Sequence, residues 1–180
     1  KAVAEWETKL LVSGLNYDWQ LIEGMGDTLY FATNKDAPKL RVVSIDLNPP
    51  LYKCNDGVAH YEVDCSDPVE FKEVIPEREE TLSRAQIVGN RLVLSYLKDA
   101  ATIAEMVSLD GQPVKKIELN AIGTASGFSG KPGDPETFFS FSSFNQPGAV
   151  YRFDSASGKS TVFAQPKLSF DPAQIAITQH

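Results

Sequence analysis

The sequence lacks any apolar run that approaches the roughly 20 residues that a membrane-spanning helix requires. It also lacks an excess of basic residues, because 17 lysines and arginines stand against 24 aspartates and glutamates, for a net charge of −7. Nucleic-acid binding depends on Lys and Arg contacts to phosphate, so this composition disfavours it. No signal peptide is visible. These absences predict no nucleic-acid partner and no membrane partner, and they leave the compartment open between cytoplasm and bacterial periplasm.

Helix-forming segments are also scarce. Only Ala2–Glu7 and Pro76–Leu82 could form a helical turn or two, whereas 12 glycines and 11 prolines supply frequent turn signals. With 42% hydrophobic residues, the 180-residue chain can bury a substantial core. The composition is typical of a turn-rich, all-β protein.

The clearest strand pattern lies in Thr137–Asp154. Phe139 and Phe141 alternate there with Ser140 and Ser142, which predicts a strand with one apolar and one polar face. A Pro-Gly pair interrupts the pattern, and a second alternating strand then ends in Asp.

An apolar–polar–apolar–Asp pattern followed by turn residues occurs three times, at Val43–Asp46, Val107–Asp110 and Tyr151–Asp154. An Asp that closes a strand suits the first position of a turn, because its carboxylate accepts backbone N–H groups there. The Asp residues are 64 and 44 positions apart, and both spacings become 44 if Asn48–Asp67 is a 20-residue insertion. Four-stranded propeller blades repeat every roughly 40–50 residues. The pattern therefore predicts three propeller blades.

Each predicted blade has a second strand before the Asp-terminated one, an inner strand upstream and an outer strand downstream. We expect the second strands at Thr28–Thr33, Arg91–Leu97 and Thr137–Phe144, the inner strands at Tyr17–Gly24, Ser83–Val88 and Gly123–Phe128, and the outer strands at Val69–Ile75, Pro113–Glu118 and Lys159–Phe163. The blades then span approximately residues 17–75, 83–118 and 123–163. The segment Thr8–Ser13 would be the outer strand of a preceding blade.

Three blades are too few for a closed ring, since a closed propeller typically contains 4–8. Both end sheets would then present apolar faces to water. The chain also begins with Lys in the middle of a pattern. We therefore expect residues 1–180 to be the C-terminal part of a β-propeller domain within a longer polypeptide.

The predicted insertion, residues 48–67, contains both cysteines. Asp56-Gly57 suits a type I′ turn, so the segment is predicted to be a β-hairpin. In such a hairpin Cys54 and Cys65 would lie about 20 Å apart, which is too far for a disulfide. A bent or looped insertion would allow the bridge, so both possibilities stay open. A zinc site formed by these cysteines and His60 is disfavoured, because no C-x-x-C pair is present.

Three other features have structural rather than chemical interpretations. Glu77–Glu80 predicts a solvated turn between sheets rather than a catalytic carboxylate cluster. Gly123–Gly133 lacks the ending of a phosphate-binding loop and predicts an inner strand close to a propeller axis. Trp6, Trp19 and the aromatic residues of 137–144 predict packing between sheets rather than a sugar-binding platform.

Several segments share their order and spacing with one peptidase family. They are Thr33–Pro38 with Val42–Leu47, Ser95–Ala100 with Leu109–Gly111, Gly127–Gly130 with Phe141–Phe144, Pro147, Tyr151 and Asp154, and finally Phe170–Pro172 with Thr178-Gln179. Together they resemble the last three propeller blades of the prolyl oligopeptidase family, in its bacterial form. Phe144 and Tyr151 fit the prolyl enzymes better than the related oligopeptidases specific for basic residues. The likeness spans nearly the whole chain outside the insertion.

In that family a Ser-Asp-His triad lies on an α/β-hydrolase domain, and the propeller covers it and restricts entry to short peptides. The resemblance implies that this chain gates the access of short proline-containing peptides to a hydrolase domain. Its partners would be that domain and the remaining blades, and residues 168–180 would begin the linker to it. Asp18 and Asp99 could line the tunnel or its rims.

The sequence carries no triad of its own. The nearest approaches to the G-x-S-x-G nucleophile motif, Gly123–Gly127 and Gly127–Gly130, fail on spacing. His60 and His180 are not placed to serve a serine. We therefore assign no catalytic, cofactor-binding or metal-binding residue and expect no cofactor. The alternative function is a scaffold propeller for protein–protein interaction, although the Gly-His and Trp-Asp marks of WD-type repeats are missing.

Overall fold

The computed structural model describes residues 11–12, 14–47, 70–119, 121–144 and 146–167. This part of the chain contains twelve β-strands and no helix, and hence no helix that could span a membrane. The strands are β1 (Trp19–Met25), β2 (Thr28–Thr33), β3 (Arg41–Asp46), β4 (Lys72–Ile75), β5 (Thr81–Val88), β6 (Arg91–Lys98), β7 (Ala101–Val107), β8 (Pro113–Ile117), β9 (Gly123–Ser129), β10 (Glu136–Ser143), β11 (Ala149–Asp154) and β12 (Lys159–Ala164).

Each group of four consecutive strands forms one antiparallel sheet, in which hydrogen-bonded order follows chain order. The first sheet contains β1–β4, the second β5–β8 and the third β9–β12, and none of them closes on itself. The predicted all-β architecture of three four-stranded antiparallel sheets is confirmed. A helical turn at Pro76–Leu82 is wrong, because Thr81 and Leu82 already pair with Leu97 and Tyr96 of β6.

The predicted alternation along β10 is confirmed. Phe139 and Phe141 are buried, at 3% and 1% exposure, while Ser140 and Ser142 are exposed. Because successive strand residues point to opposite faces, the aromatic face packs inward and the hydroxyl face points to solvent.

The second sheet is buried on both faces. Leu92, Leu94 and Tyr96 of β6 belong to an apolar core shared with the first sheet. Val93, between them, belongs to a second core shared with Phe139 and other residues of the third sheet. A central strand that is apolar at consecutive positions is what burial between two sheets requires.

The first strands of the three sheets converge. β1 contacts β5, and β5 contacts β9. The guanidinium Nη1 of Arg84 in β5 also donates a 3.3 Å hydrogen bond to the carbonyl of Gly127 in β9. Successive sheets therefore pack face to face with their first strands at a common inner edge.

Bulges occur at matching strand pairs in all three sheets, whereas the ladder between the second and third strands of each sheet is regular. In the first strand pairs the extra residues are Ile22, Ser83 and Phe128. In the last strand pairs they are Val74, Val114 and Phe163. A bulge increases the local right-handed twist of a strand. The three sheets therefore have bulges at the same strand pairs, and these bulges increase the twist of each sheet.

The three Asp-terminated patterns are not structurally equivalent. Asp46 and Asp154 each end a third strand, opposite the first residue of the second strand. In the second sheet β7 already ends at Val107, so the prediction of a strand over Val107–Asp110 is wrong there. The strand stops because Ser108 begins a turn, closed by hydrogen bonds from Ser108 N to Gln112 O (2.9 Å) and from Gly111 N to Ser108 O (3.0 Å). The two equal spacings of 44 are therefore not distances between equivalent positions.

Some predictions fall outside the described residues. They concern the segment Ala2–Glu7 with Trp6, the hairpin and cysteines of residues 48–67, and the linker of residues 168–180. Of the predicted outer strand Thr8–Ser13, only Leu11 and Val12 are described, and neither lies in a strand.

Candidate functional site

The inner edge, formed by β1, β5 and β9, presents mainly polar side chains. Its exposed residues include Gln20, Thr81, Ser83, Arg84, Thr124, Ser126 and Ser129, with Leu21 as an apolar exception. Arg84 is the only cationic residue in these three strands. Its hydrogen bond to Gly127 places a positive charge where the second and third sheets meet.

A bulge fixes the backbone of this inner edge at Gly127 and Phe128. Gly127 has φ +114° and Phe128 has φ +59°, and the second value is unfavourable for a residue with a side chain. Phe128 is nevertheless 1% exposed and stacks on Phe139 at a ring-centroid distance of 4.5 Å. This stacking compensates for the strained backbone. The predicted inner strand in Gly123–Gly133 is confirmed as β9.

Asp18 lies at a rim, directly before β1. Its backbone N–H donates to Asn34 Oδ1 at 2.8 Å, and Asn34 Nδ2 donates to the Asp18 carboxylate at 3.2 Å. Asn34 directly follows β2, the second strand of the first sheet, and Asp99 directly follows β6, the second strand of the second sheet. Asp99 forms a two-residue turn with Ala100. Both aspartates thus lie at corresponding ends of neighbouring sheets. Their place in a tunnel stays a prediction.

The segment Glu77–Glu80 connects the first and second sheets, with Glu77 and Glu79 exposed and Arg78 and Glu80 partly buried. Arg78 Nη1 donates to Glu105 Oε1 at 2.9 Å, Arg78 Nε lies 3.2 Å from Glu80 Oε2, and Lys98 Nζ lies 3.4 Å from Glu80 Oε1. These ion pairs join the connection to Lys98 of β6 and Glu105 of β7.

The Glu80 carboxylate is held in its ionised form. Hydrogen bonding to its own backbone N–H lowers the pKa of Glu80, and Lys98 and Arg78 lower it further. The carboxylates of this segment therefore form structural ion pairs.

Aromatic residues pack in two different environments. Phe139 stacks on Phe128 and on Tyr151 (5.1 Å) in the core between the second and third sheets, which confirms their predicted inter-sheet role. Trp19 instead contacts Phe31 of β2 (6.2 Å) and Phe71, which directly precedes β4 (4.7 Å).

The outer face of the third sheet carries exposed aromatic rings. Phe138 and Phe163 lie 5.0 Å apart and are 40% and 66% exposed, and Phe144 is 95% exposed. This face is opposite the one packed on the second sheet, because Phe138 alternates with the buried Phe139.

No described serine has a histidine partner, since His60 and His180 both lie outside the described residues. Ser126 Oγ shares a 2.9 Å hydrogen bond with Ser140 Oγ, and Ser129 accepts through its carbonyl from Thr137 Oγ1. The described residues also contain no group of three His, Cys, Asp or Glu side chains that could hold a metal ion.

Three twisted four-stranded meanders that pack face to face, with their first strands at a common edge, define consecutive blades of a β-propeller. Over residues 2–166 the chain matches the family described as prolyl oligopeptidase, N-terminal beta-propeller domain. The chain belongs to this family.

Relatives and solved structures agree with this assignment. The chain is 30% identical over 162 residues to a prolyl endopeptidase from Elizabethkingia miricola, a match that covers 90% of this chain and 21% of that protein. It is 30% identical over 144 residues to a prolyl endopeptidase from Dictyostelium discoideum, covering 77% and 17% respectively. The chain thus spans about a fifth of the length of the curated relatives it matches.

Among solved structures, one from a study of two prolyl endopeptidases superposes with a TM-score of 0.76 at 28% identity, covering 95% of this chain and 23% of that one. Prolyl oligopeptidase B from Galerina marginata, at 22% identity and a TM-score of 0.73, shares the fold over 91% of this chain and 22% of its own.

Proposed function

We propose that this chain is a non-catalytic part of the propeller of a proline-specific serine endopeptidase. In this role it gates the access of short peptides to an α/β-hydrolase domain, which is its partner together with the remaining blades. The family assignment supports the proposal, as does the similarity to proteins named prolyl endopeptidase.

The observation that carries the proposal is the polar inner edge of three packed blades. The inner edge carries exposed polar side chains, such as those of Gln20, Ser83, Thr124 and Ser126. These side chains can remain hydrated and form no apolar patch, so a peptide can move along them without binding tightly. The Arg84–Gly127 hydrogen bond (3.3 Å) and the two cores hold neighbouring blades together. Such an edge can exclude a folded protein by size while it admits an extended peptide.

The test compares the 180-residue chain with the complete polypeptide that carries it. We expect no peptidase activity from the chain alone. The complete polypeptide should cleave a short chromogenic peptide after proline, and it should leave exposed proline sites of a folded protein intact. Proline-specific cleavage by the chain alone would refute its non-catalytic role. If the complete polypeptide shows no such cleavage, the scaffold alternative gains support.

The gating role has its own test in the complete polypeptide. Replacing Arg84 by Ala removes this hydrogen bond between β5 and β9, and we expect it to raise kcat/KM for a long unfolded substrate relative to a short one. The matched variant Arg91→Ala, in β6, should leave this ratio unchanged. An unchanged ratio in Arg84→Ala would contradict the gating role of this contact.

A further inference from the structure

Arg84 carries a positive charge that no carboxylate neutralises. Its side chain is exposed on the inner edge, in the middle of the three blades. The arginines Arg41, Arg78 and Arg152 each form an ion pair with a glutamate. Among the residues that the structure describes, no carboxylate forms an ion pair with Arg84. Its charge therefore remains available to a molecule that passes along the inner edge.

The strands on either side of Arg84 offer almost no opposing charge. β9 contains only glycine, alanine, phenylalanine, serine and threonine, and Ser83 precedes Arg84 in β5. The only acidic residue of the three inner strands is Glu23 in β1. Its Oε1 accepts a 3.0 Å hydrogen bond from the backbone N–H of Gly24. A charge lined by neutral groups attracts ions of the opposite sign into a cleft.

The hydrogen bond to Gly127 orients the guanidinium of Arg84. Nη1 donates to the Gly127 carbonyl at 3.3 Å, and Gly127 adjoins the bulge of β9, with φ +114°. Bulges redirect the groups of a strand and are frequent beside functional sites. One nitrogen is committed to this carbonyl, and the remaining N–H groups are donors that match the two oxygens of a carboxylate. Orienting the group before a ligand arrives lowers the entropy lost on binding.

We propose that Arg84 makes the inner edge selective for peptides that carry a carboxylate, either at a free C-terminus or in an acidic side chain. This inference rests on the proposed function, in which short peptides pass along the inner edge. The free N–H groups of Arg84 donate to the passing carboxylate, while a neutral peptide gains no such contact and a cationic one is repelled. Because a pair of exposed charges interacts weakly, the peptide is favoured at the edge without being trapped there.

The test measures kcat/KM of the complete polypeptide that carries this chain on two pairs of short proline-containing peptides. One pair differs only in a C-terminal carboxylate or amide, and the other, with both ends blocked, only in Glu or Gln at one position. For at least one pair, Arg84→Gln should lower the ratio of the acidic to the neutral peptide about two- to fivefold; the pair that responds identifies the carboxylate that Arg84 recognises. Arg84→Lys keeps the charge and should retain most of the ratio, and the matched control Arg91→Gln, in β6, should leave it unchanged.

This ratio separates the charge of Arg84 from gating by size, because the two peptides of a pair have the same length. Salt at about 0.5 M should reduce the difference between the unmodified and Arg84→Gln proteins, since it screens exposed charges. If the complete polypeptide cleaves none of the peptides, the proposed peptidase function fails, and fluorescence anisotropy of the same peptides, labelled, still measures the charge preference as a ratio of affinities. Equal ratios for the unmodified and Arg84→Gln proteins with both pairs would overturn the proposal.

Discussion

Gly111 of the β7–β8 turn lies so close to Val74 of β4 that a β-carbon on Gly111 would be 2.2 Å from the Val74 carbonyl oxygen. The same relationship recurs one blade later, where a β-carbon on Gly158 of the β11–β12 turn would be 2.6 Å from Lys115 Cδ in β8. Both glycines have positive φ, +87° and +64°. In the second and third blades this turn thus rests on the outer strand of the blade before it, and glycine permits the approach.

Replacing Gly111 by Ala should therefore lower the free energy of unfolding by about 3 kcal/mol, from left-handed backbone strain and overpacking together. Gly26→Ala is the matched control, because Gly26 has φ +60° and no atom near its added β-carbon. It should cost about 1 kcal/mol from the backbone alone. Urea denaturation measures the free energy of unfolding of both variants. If both lose the same amount, the contact between Gly111 and Val74 is not tight.

Arg78 should stabilise the packing of the β4–β5 connection on the second sheet. Its guanidinium carbon lies 3.3 Å from the centre of the Tyr96 ring, and it pairs with Glu80 and Glu105. Arg78→Met removes the cation from the Tyr96 ring and leaves Glu105 without this partner, so it should lower the free energy of unfolding by about 2 kcal/mol. Arg78→Lys keeps the charge and should cost about 1 kcal/mol. If both variants unfold at the same urea concentration as the unmodified chain, the network contributes nothing to stability.

The strands could be predicted from the sequence because alternation and turn residues are local signals. β2 was placed at its observed ends, and the alternation of Phe139 and Phe141 with serines gave the buried face of β10. The number of sheets followed from the spacing of such signals. These features depend on the chain's own pattern and on nothing distant in sequence.

Contacts between residues that are distant in sequence could not be predicted in this way. Arg78 and Glu105 are 27 residues apart, and nothing local distinguishes Arg78 from a solvated arginine. Likewise, Ser108 rather than Asp110 stands where Asp46 and Asp154 stand, because the β7–β8 turn begins earlier. The apolar–polar–apolar–Asp motif identified the turn, but it did not identify the residue at which the turn begins. The polar inner edge also depends on how β1, β5 and β9 converge, which is a tertiary property.

Ala100 should be suboptimal in the turn between β6 and β7. Asp99 and Ala100 have φ +48° and +61°, a conformation that favours glycine. The corresponding turn between β5 and β6 uses Gly89 for its first residue. Ala100→Gly should raise the free energy of unfolding by about 0.5–1 kcal/mol. Ala121→Gly, at an exposed position without positive φ, should lower it, and a loss in both variants would contradict the argument.

The turn after β11 should contribute stability that depends on pH. Ser157 Oγ donates to Asp154 Oδ1 at 2.7 Å, and Ser157 N donates to the same atom at 2.6 Å. These bonds, the hydroxyl first, lower the pKa of Asp154 from its ordinary value of 3.8. A carboxylate whose pKa is lowered by folding adds stability above its unfolded pKa, and that stability is lost as the pH falls through the folded pKa.

Asp154→Asn should therefore be less stable than the unmodified chain at neutral pH, and the difference should shrink as the pH falls below about 4. Urea denaturation at several pH values between about 2.5 and 7 measures this difference. Ser157→Ala removes the largest cause of the lowered pKa and should reduce the pH dependence without abolishing it, because the backbone N–H groups remain. A difference between Asp154→Asn and the unmodified chain that stays constant down to the lowest pH would show that the charge of Asp154 plays no part in the turn.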